Sequence, residues 1–587
     1  MRELLSGNEA IAEGIFEAGV RVAAGYPGTP STEILQNVVK HPQVYAEWCP
    51  NEKVALEVAF GASFAGRRSI AVMKHVGLNV AADPLFTFSY TGVNGGCVII
   101  TADDPGMHSS QNEQDNRHYA RAAKIPMFEP CNSQEAKDLL KVAYEVSERF
   151  DTPVLYRITT RVAHSSTIVE MGRRDKEYEM PLVHNEESAR KYVMVPANAR
   201  PKHERVEERY QELKGFANEF NKIEWKGKEV GIITNGVARQ YAREVFPDAS
   251  ILKLSMSWPL PDKLIHELAD AVDRLIVIEE LDPVIEHTVM SLGIHCEGKS
   301  KVPITGELSP DVLRKAFFDV DESHEVENLP TIPPRPPVMC PGCPHRGLFY
   351  MLKKYDLVVS GDIGCYTLAV LPPLSAMDTC LCMGASVSGA HGMEMAVKEE
   401  HGRRIVSVIG DSTFVHSGIT GLVNTVYNKG TSTIIILDNR TTAMTGGQHH
   451  PATGRTLEGE ETHKLDFVKV AEAVGVEYVQ KFDPYDLAET EEVLRRSIEF
   501  KGTNVLISTR ACVLAPKKLN FGHVVWSNVD KCKRCGMCLK IGCPAIEKHG
   551  PGTDGKKFDV VVNEDLCIGC DLCIQQCKFD ALKRRDE

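Results

Sequence analysis

The sequence predicts an α/β multidomain chain, with three α/β units in series and a small cysteine-rich module at the C-terminus. Three observations carry this. Short β-branched runs alternate with segments of helical apolar spacing through most of the chain. The proline-rich stretch ENLPTIPPRPPVMCPG, residues 327–342, interrupts that alternation. Eight of the 18 cysteines crowd into CKRCGMCLKIGCP and CIGCDLCIQQC near the end.

The bulk numbers agree with globular domains. The 587 residues are 43% hydrophobic and 25% charged. A net charge of −13 and a pI near 5.9 argue against a nucleic-acid partner or an anionic membrane surface. No apolar run approaches the ~18 residues that suggest a membrane span. The N-terminus MRELLSGNEAIAEG lacks an apolar signal core, so a cytoplasmic location is expected. In that setting cysteines serve as thiols or metal ligands rather than as a disulfide framework.

Residues 1–185 form the first expected unit. RVAAGYP (21–27), GCVIITADDPG (96–106) and DTPVLYRITTRVAH (151–164) read as strands, and NEKVALEVAFGASFAG (51–66) as a helix. Residues 186–225 are charged and read as a linker or covering helix. A second unit spans 226–325, with strands in KEVGIITNG and DRLIVIEE. Residues 326–337 form a proline-rich linker, and 338–516 a third α/β unit. The cysteine-rich module occupies 523–587.

The cysteine ladder has nested spacing. Cys532, Cys535 and Cys538 stand C-x2-C-x2-C, with Cys543-Pro544 after a four-residue gap. Cys567, Cys570, Cys573 and Cys577 stand C-x2-C-x2-C-x3-C. Such gaps let three thiolates of one loop face a single iron–sulfur cube. The ladder resembles that of two-cluster bacterial ferredoxins, where the fourth ligand comes from the other loop. That resemblance implies one [4Fe–4S] cluster on Cys532, Cys535, Cys538 and Cys577, and another on Cys543, Cys567, Cys570 and Cys573. The first motif carries one inserted residue, and Lys578 replaces the usual proline. A pair of zinc sites is the alternative, and the nested spacing of eight cysteines disfavours it.

In the third unit, two buried strands end in Gly410-Asp411 and Asp438-Asn439, with a helical segment between them. Ligands of open parallel sheets bind beyond the carboxyl ends of strands. Asp411 and Asn439 offer hard oxygens suited to Mg2+. Alone, both pairs are equally well read as ordinary turn residues. GDS-x25-DN, however, resembles the thiamine diphosphate fingerprint GDG-x(25–30)-NN. The resemblance implies Mg2+ on Asp411, Asn439 and the Thr441 carbonyl, with Gly410 and Ser412 in the cofactor loop. Glu52, Ala55, Ala59 and Gly61 match the family's E-x2-A-x3-A-x-G, whose glutamate hydrogen-bonds the cofactor's aminopyrimidine. Glu52 also reads as a first-turn acid behind an Asn51 N-cap. CMGASVSGAHGM places Met383 and Gly384 where a bulky side chain props the bent cofactor; a core methionine is the alternative reading.

Thiamine and ferredoxin features in one chain resemble the 2-oxoacid:ferredoxin oxidoreductases over essentially the full length. GYPGTPSTE resembles their YPxTPS loop, making Tyr26, Thr29, Ser31 and Thr32 candidate contacts; a proline-fixed turn is the plain reading. The order of units, with CPGCPHRG, GDIGCYTL and LDNRTTAMTGGQ, resembles the alpha subunits of the indolepyruvate ferredoxin oxidoreductases. The fold implied is a pyrimidine-type thiamine domain, a middle domain, a diphosphate-type thiamine domain and a two-cluster ferredoxin module. The activity implied is oxidative decarboxylation of aryl pyruvates to arylacetyl-CoA. Thiamine diphosphate, Mg2+, [4Fe–4S] clusters and coenzyme A serve it, with a smaller beta subunit, ferredoxin as acceptor and a dimer of alpha-beta heterodimers. The resemblance extends to a third cluster on Cys340, Cys343, Cys365 and Cys512, against which stand the competing thiols Cys380 and Cys382. The other readings are a pyruvate or branched-chain 2-oxoacid enzyme, a non-oxidative thiamine decarboxylase, and an electron-transfer subunit with a vestigial thiamine site. His416, just after the metal loop, is expected as a hydrogen-bonded structural histidine or a proton carrier.

Overall fold

The computed structural model describes all residues except 183–184, 321–336, 398–404, 516–520, 551–557 and 586–587. The expected proline-rich linker, 326–337, lies outside the described residues apart from Pro337. The expected end of the third unit at 516 lies outside them too. The chain divides into two compact units, Met1–Leu329 and Pro330–Glu587.

The first unit holds two sheets. Its seven-stranded sheet runs Met256–Trp258, Met127–Phe128, Val154–Thr159, Cys97–Asp103, Ser69–Lys74, Val22–Gly25 and Tyr45–Trp48. All neighbours pair parallel except the first two. The central strands SIAVMK and CVIITAD are buried along their whole length, as parallel strands covered on both faces must be. The second sheet runs Arg274–Ile278, Val230–Asn235, Ser250–Leu254 and Lys222–Glu224.

Two segments depart from the sequence reading. Residues 186–225 contain the helices Glu186–Tyr192 and Pro196–Phe220, but also the strand Lys222–Glu224. That strand pairs antiparallel on the edge of the second sheet, so the sheet begins before residue 226. Met256–Trp258 belongs by sequence to the middle unit, yet it extends the first sheet, with Met256 opposite Phe128. All three of its residues are buried, so packing rather than sequence pattern fixes its partner.

Buried charges also join these two sheets. Arg157 pairs with Asp103 and Glu129, and Arg117 pairs with Asp115 and Glu279. Glu280 lies beside them, buried, with Oε1 accepting from the Leu308 N–H at 3.2 Å. Its pKa is pushed up to about 7, chiefly by burial.

The second unit is built on six parallel strands in the order Thr379–Cys380, Val358–Gly361, Ile405–Gly410, Thr433–Asp438, Asn504–Thr509 and Tyr478–Phe482. The cysteine-rich segment adds two small antiparallel ribbons. Its Ile541 and Leu572 pack into the same apolar core as Leu348, Phe349 and Tyr366. Among the described residues no helix is long and apolar enough to cross a membrane.

Candidate functional site

The strands Ile405–Gly410 and Thr433–Asp438 are neighbours, with Gly410 opposite Leu437. This register brings Asp411 and Asn439 to the same sheet end. Asp411 is 2% exposed. Its Oδ1 accepts the Ser412 N–H at 2.8 Å, and its Oδ2 accepts the Arg440 N–H at 2.8 Å from the other loop. No Lys or Arg of the described residues pairs with it; His450 Nε2 stands 3.4 Å away. The Asn439 Oδ1 accepts the Thr441 N–H at 3.1 Å, and the Thr442 hydroxyl bonds the Ser412 hydroxyl at 3.0 Å. Burial and the neighbouring Asp411 push the Asp438 carboxyl up.

A parallel set of contacts, not foreseen from the sequence, forms the adjacent wall. Asp362 follows the strand Val358–Gly361 and is fully buried. Its two oxygens accept the Gly384 and Ser386 N–H groups, each at 2.9 Å. Asp362 thus clamps the turn that carries Met383, which is half-buried. Gly384 has φ +88°, and a Cβ there would lie 2.5 Å from Ser417 Cβ, so the turn needs glycine. The Tyr366 hydroxyl accepts the Gly410 N–H at 2.9 Å and donates to the Ile363 carbonyl at 3.1 Å. GDIG is itself a Gly-Asp at a strand end, the signal that marked GDS.

His345 packs edge-on to Tyr366, and burial lowers its pKa to about 4 despite the nearby Asp411. His416 sits in a single π-turn, Phe414–Gly418, with Nδ1 2.6 Å from the Ser417 hydroxyl. Such π-turns recur at functional sites.

Twelve of the 18 cysteines fall into three sets. Cys543, Cys567, Cys570 and Cys573 line one cavity, and Cys532, Cys535, Cys538 and Cys577 line another. Among the described residues, no three His, Cys, Asp or Glu side chains are drawn together around a single ion. Burial raises Cys570 to about 12 and Cys538 to about 11. Thiolates there need an adjacent positive metal charge.

The third set is Cys340, Cys343, Cys365 and Cys512. Burial raises the last three, Cys343 to about 12, and each is raised further by neighbours in the set. Cys365 feels Cys512 and Cys340, while Cys343 feels Cys340 and Cys365. Cys512 feels Asp411 as well as Cys340, and its N–H donates to the Asn439 carbonyl at 3.0 Å. The third set therefore stands beside the Asp411–Asn439 pair. Cys380 and Cys382 remain outside it; Cys380 Sγ lies 3.9 Å from the Thr367 hydroxyl.

In the first unit, Glu52 opens the helix Glu52–Phe64 and is buried. Asn51 caps that helix, accepting the Val54 N–H at 3.0 Å. A Cβ on Gly77 would lie 2.6 Å from the Glu52 carboxylate, so Gly77 makes room for it. Tyr26 is buried and Thr29 half-buried in the loop after Val22–Gly25. Ser31 Oγ donates to the Gly28 carbonyl at 2.9 Å, while the buried Thr32 hydroxyl has no partner among the described residues. Lys74 packs against Gly28 and donates to the Ser109 carbonyl at 2.8 Å. Burial lowers its pKa to about 8.

Three family models match parts of the chain. Residues 13–222 match "Pyruvate flavodoxin/ferredoxin oxidoreductase, thiamine diP-bdg". Residues 362–508 match "Thiamine pyrophosphate enzyme, C-terminal TPP binding domain", and residues 560–583 match "4Fe-4S binding domain". Fold and matches together define an α/β multidomain protein of the thiamine-dependent 2-oxoacid oxidoreductase class. Its relatives narrow the class. Indolepyruvate oxidoreductase subunit IorA of Methanothermobacter marburgensis is 40% identical, over 99% of this chain and 97% of its own. The subunits of the same name in Archaeoglobus fulgidus and Pyrococcus abyssi are each 39% identical over the same shares. The chain belongs to the family of indolepyruvate oxidoreductase subunits IorA.

Proposed function

We propose that the chain is the catalytic subunit for oxidative decarboxylation of aryl pyruvates, indolepyruvate and phenylpyruvate among them. The products are arylacetyl-CoA and CO2, and two electrons leave singly through [4Fe–4S] clusters to ferredoxin. One observation carries this reading: the Asp411–Asn439 pair and the third cysteine set share one end of one sheet, joined by the Cys512–Asn439 hydrogen bond. A non-oxidative decarboxylase has no use for thiols there. The family membership supports the substrate class.

The residues suit the cofactor. Asp411 is a buried carboxylate without a Lys or Arg partner among the described residues, a charge that Mg2+ would balance. Asn439 and the Thr441 carbonyl supply further oxygens, and Gly410 and Ser412 lie in the same loop. Bound thiamine diphosphate supplies the carbon nucleophile that lets a 2-oxo acid lose CO2. Glu52, buried at its helix start, serves the pyrimidine ring by holding a proton there. Met383, held by the Asp362 clamp, would prop the cofactor. Tyr26 and Thr29, in the YPGTPS loop, would contact substrate and cofactor.

Two [4Fe–4S] clusters fit the cavities on Cys532, Cys535, Cys538, Cys577 and on Cys543, Cys567, Cys570, Cys573. A third would be held by Cys340, Cys343, Cys365 and Cys512, as the first stop for electrons leaving the thiamine site. The reading includes a smaller beta subunit, a dimer of alpha-beta heterodimers, and a reducing cytoplasmic setting.

The test is anaerobic assay of the chain with its beta partner against a panel of 2-oxo acids. Aryl pyruvates should give CoA-dependent viologen reduction with CO2 release. Preference for pyruvate or branched-chain acids would overturn the substrate class, and CO2 without viologen reduction would overturn the oxidative step.

A further inference from the structure

Arg346, in CPGCPHRG, is a buried cation that has no carboxylate partner among the described residues. It is 2% exposed. No Asp or Glu among the described residues forms an ion pair with it. Its donors all go to backbone carbonyls. Nε donates to Cys340 O at 3.1 Å, and Nη2 donates to Met339 O. Nη1 donates to Gly542 O and, at 3.4 Å, to Ile541 O. The guanidinium therefore straps the loop before Cys343 to the loop before Cys543. It also lines the cavity of Cys543, Cys567, Cys570 and Cys573. The thiols close enough to influence it are Cys543, Cys343, Cys340 and Cys570, two from each set.

A charge out of water is costly unless an opposite charge stands beside it. Carbonyl dipoles alone are weak compensation. Anionic clusters on the flanking cysteine sets would complete the balance. This step rests on the cluster assignment above.

We propose that Arg346 is the shared counter-cation of the clusters on Cys340, Cys343, Cys365, Cys512 and on Cys543, Cys567, Cys570, Cys573, and that its charge favours electron arrival at the second. In that step one electron leaves the first cluster and enters the second, and no proton moves. The second becomes one unit more negative, and an adjacent positive charge stabilises that form. Arg346 lines the second cavity, so the second cluster is the one whose reduced form its charge is proposed to stabilise.

The test is a redox titration, followed by electron paramagnetic resonance, of the anaerobically purified full chain with its beta partner. Iron is measured alongside. Arg346→Gln should keep the iron of the wild type and lower the potential of one cluster by about tenfold in its reduction equilibrium, about 59 mV for one electron. Arg346→Lys keeps the charge and should hold the wild-type potential. Loss of iron in Arg346→Gln with iron and potentials kept in Arg346→Lys would equally support the counter-cation. Unmoved potentials in an iron-replete Arg346→Gln, or the same shift in both variants, would reduce Arg346 to a backbone strap. A wild type without these two clusters would instead overturn the cluster assignment.

Discussion

The N–H of Cys512 donates to the carbonyl oxygen of Asn439 at 3.0 Å. The bond ties a thiol-bearing loop to the loop whose Arg440 N–H meets the Asp411 carboxylate. Asn439 and Cys512 are thereby held in fixed register. Electron transfer out of a thiamine site requires such nearness, so the third set is the one to probe first. With three clusters the anaerobically purified chain should carry about twelve iron atoms, on the cubane stoichiometry. Cys365→Ser should lower that count by up to four. A count near eight in both proteins would show that these four cysteines are structural.

Glu52→Gln should keep the fold, because Asn51 rather than Glu52 caps the helix. The amide cannot hold the proton a carboxyl holds. Loss of a positioned acid–base group costs about 10²–10⁴-fold in turnover. Viologen reduction near the wild-type rate, at unchanged iron content, would remove Glu52 from its role.

Asp411→Ala removes the acceptor for the Ser412 and Arg440 N–H groups as well as the anionic oxygens. It should release thiamine diphosphate on desalting. Asp411→Asn keeps one of the two acceptor oxygens and loses the charge, so comparison with Asp411→Ala weighs the charge against the loop contacts. Full cofactor content in Asp411→Asn would show that charge is not what holds the metal.

The site was legible wherever a local rule sets the geometry. Cysteine spacing fixes which thiols one loop presents, and the eight thiols from Cys532 to Cys577 line two cavities. Gly410-Asp411 and Asp438-Asn439 were legible because buried β-branched runs end there. Asp362 was readable by the same rule, in GDIG, and was passed over. Arg346 left no sequence signal: an arginine is ordinarily exposed, and the carbonyls that hold it come in part from Ile541 and Gly542, about 200 residues away. The strand Met256–Trp258 is three residues long, too short for any period, and its partner is chosen by packing in another part of the chain.

Glu280 makes the stability of the first unit depend on pH. Five buried carboxyls, Asp103, Asp115, Glu129, Glu279 and Glu280, face two buried arginines, Arg117 and Arg157. Glu280 forms no ion pair with either, although both lower its pKa somewhat, and nearby Glu307 raises it. Burial dominates and lifts it to about 7, against 4.5 for an ordinary glutamate. Between those values the unfolded chain has released the proton while the native chain still holds it. Raising the pH therefore favours unfolding: the contribution is full below about 4.5 and gone above about 7. The loss is on the order of 3 kcal/mol. Glu280→Gln mimics the protonated acid at every pH and keeps an oxygen for the Leu308 N–H. Its midpoint of thermal unfolding should match the wild type near pH 4.5 and exceed it by several degrees at pH 8. Parallel midpoints across that range would show that Glu280 is ionised in the native chain.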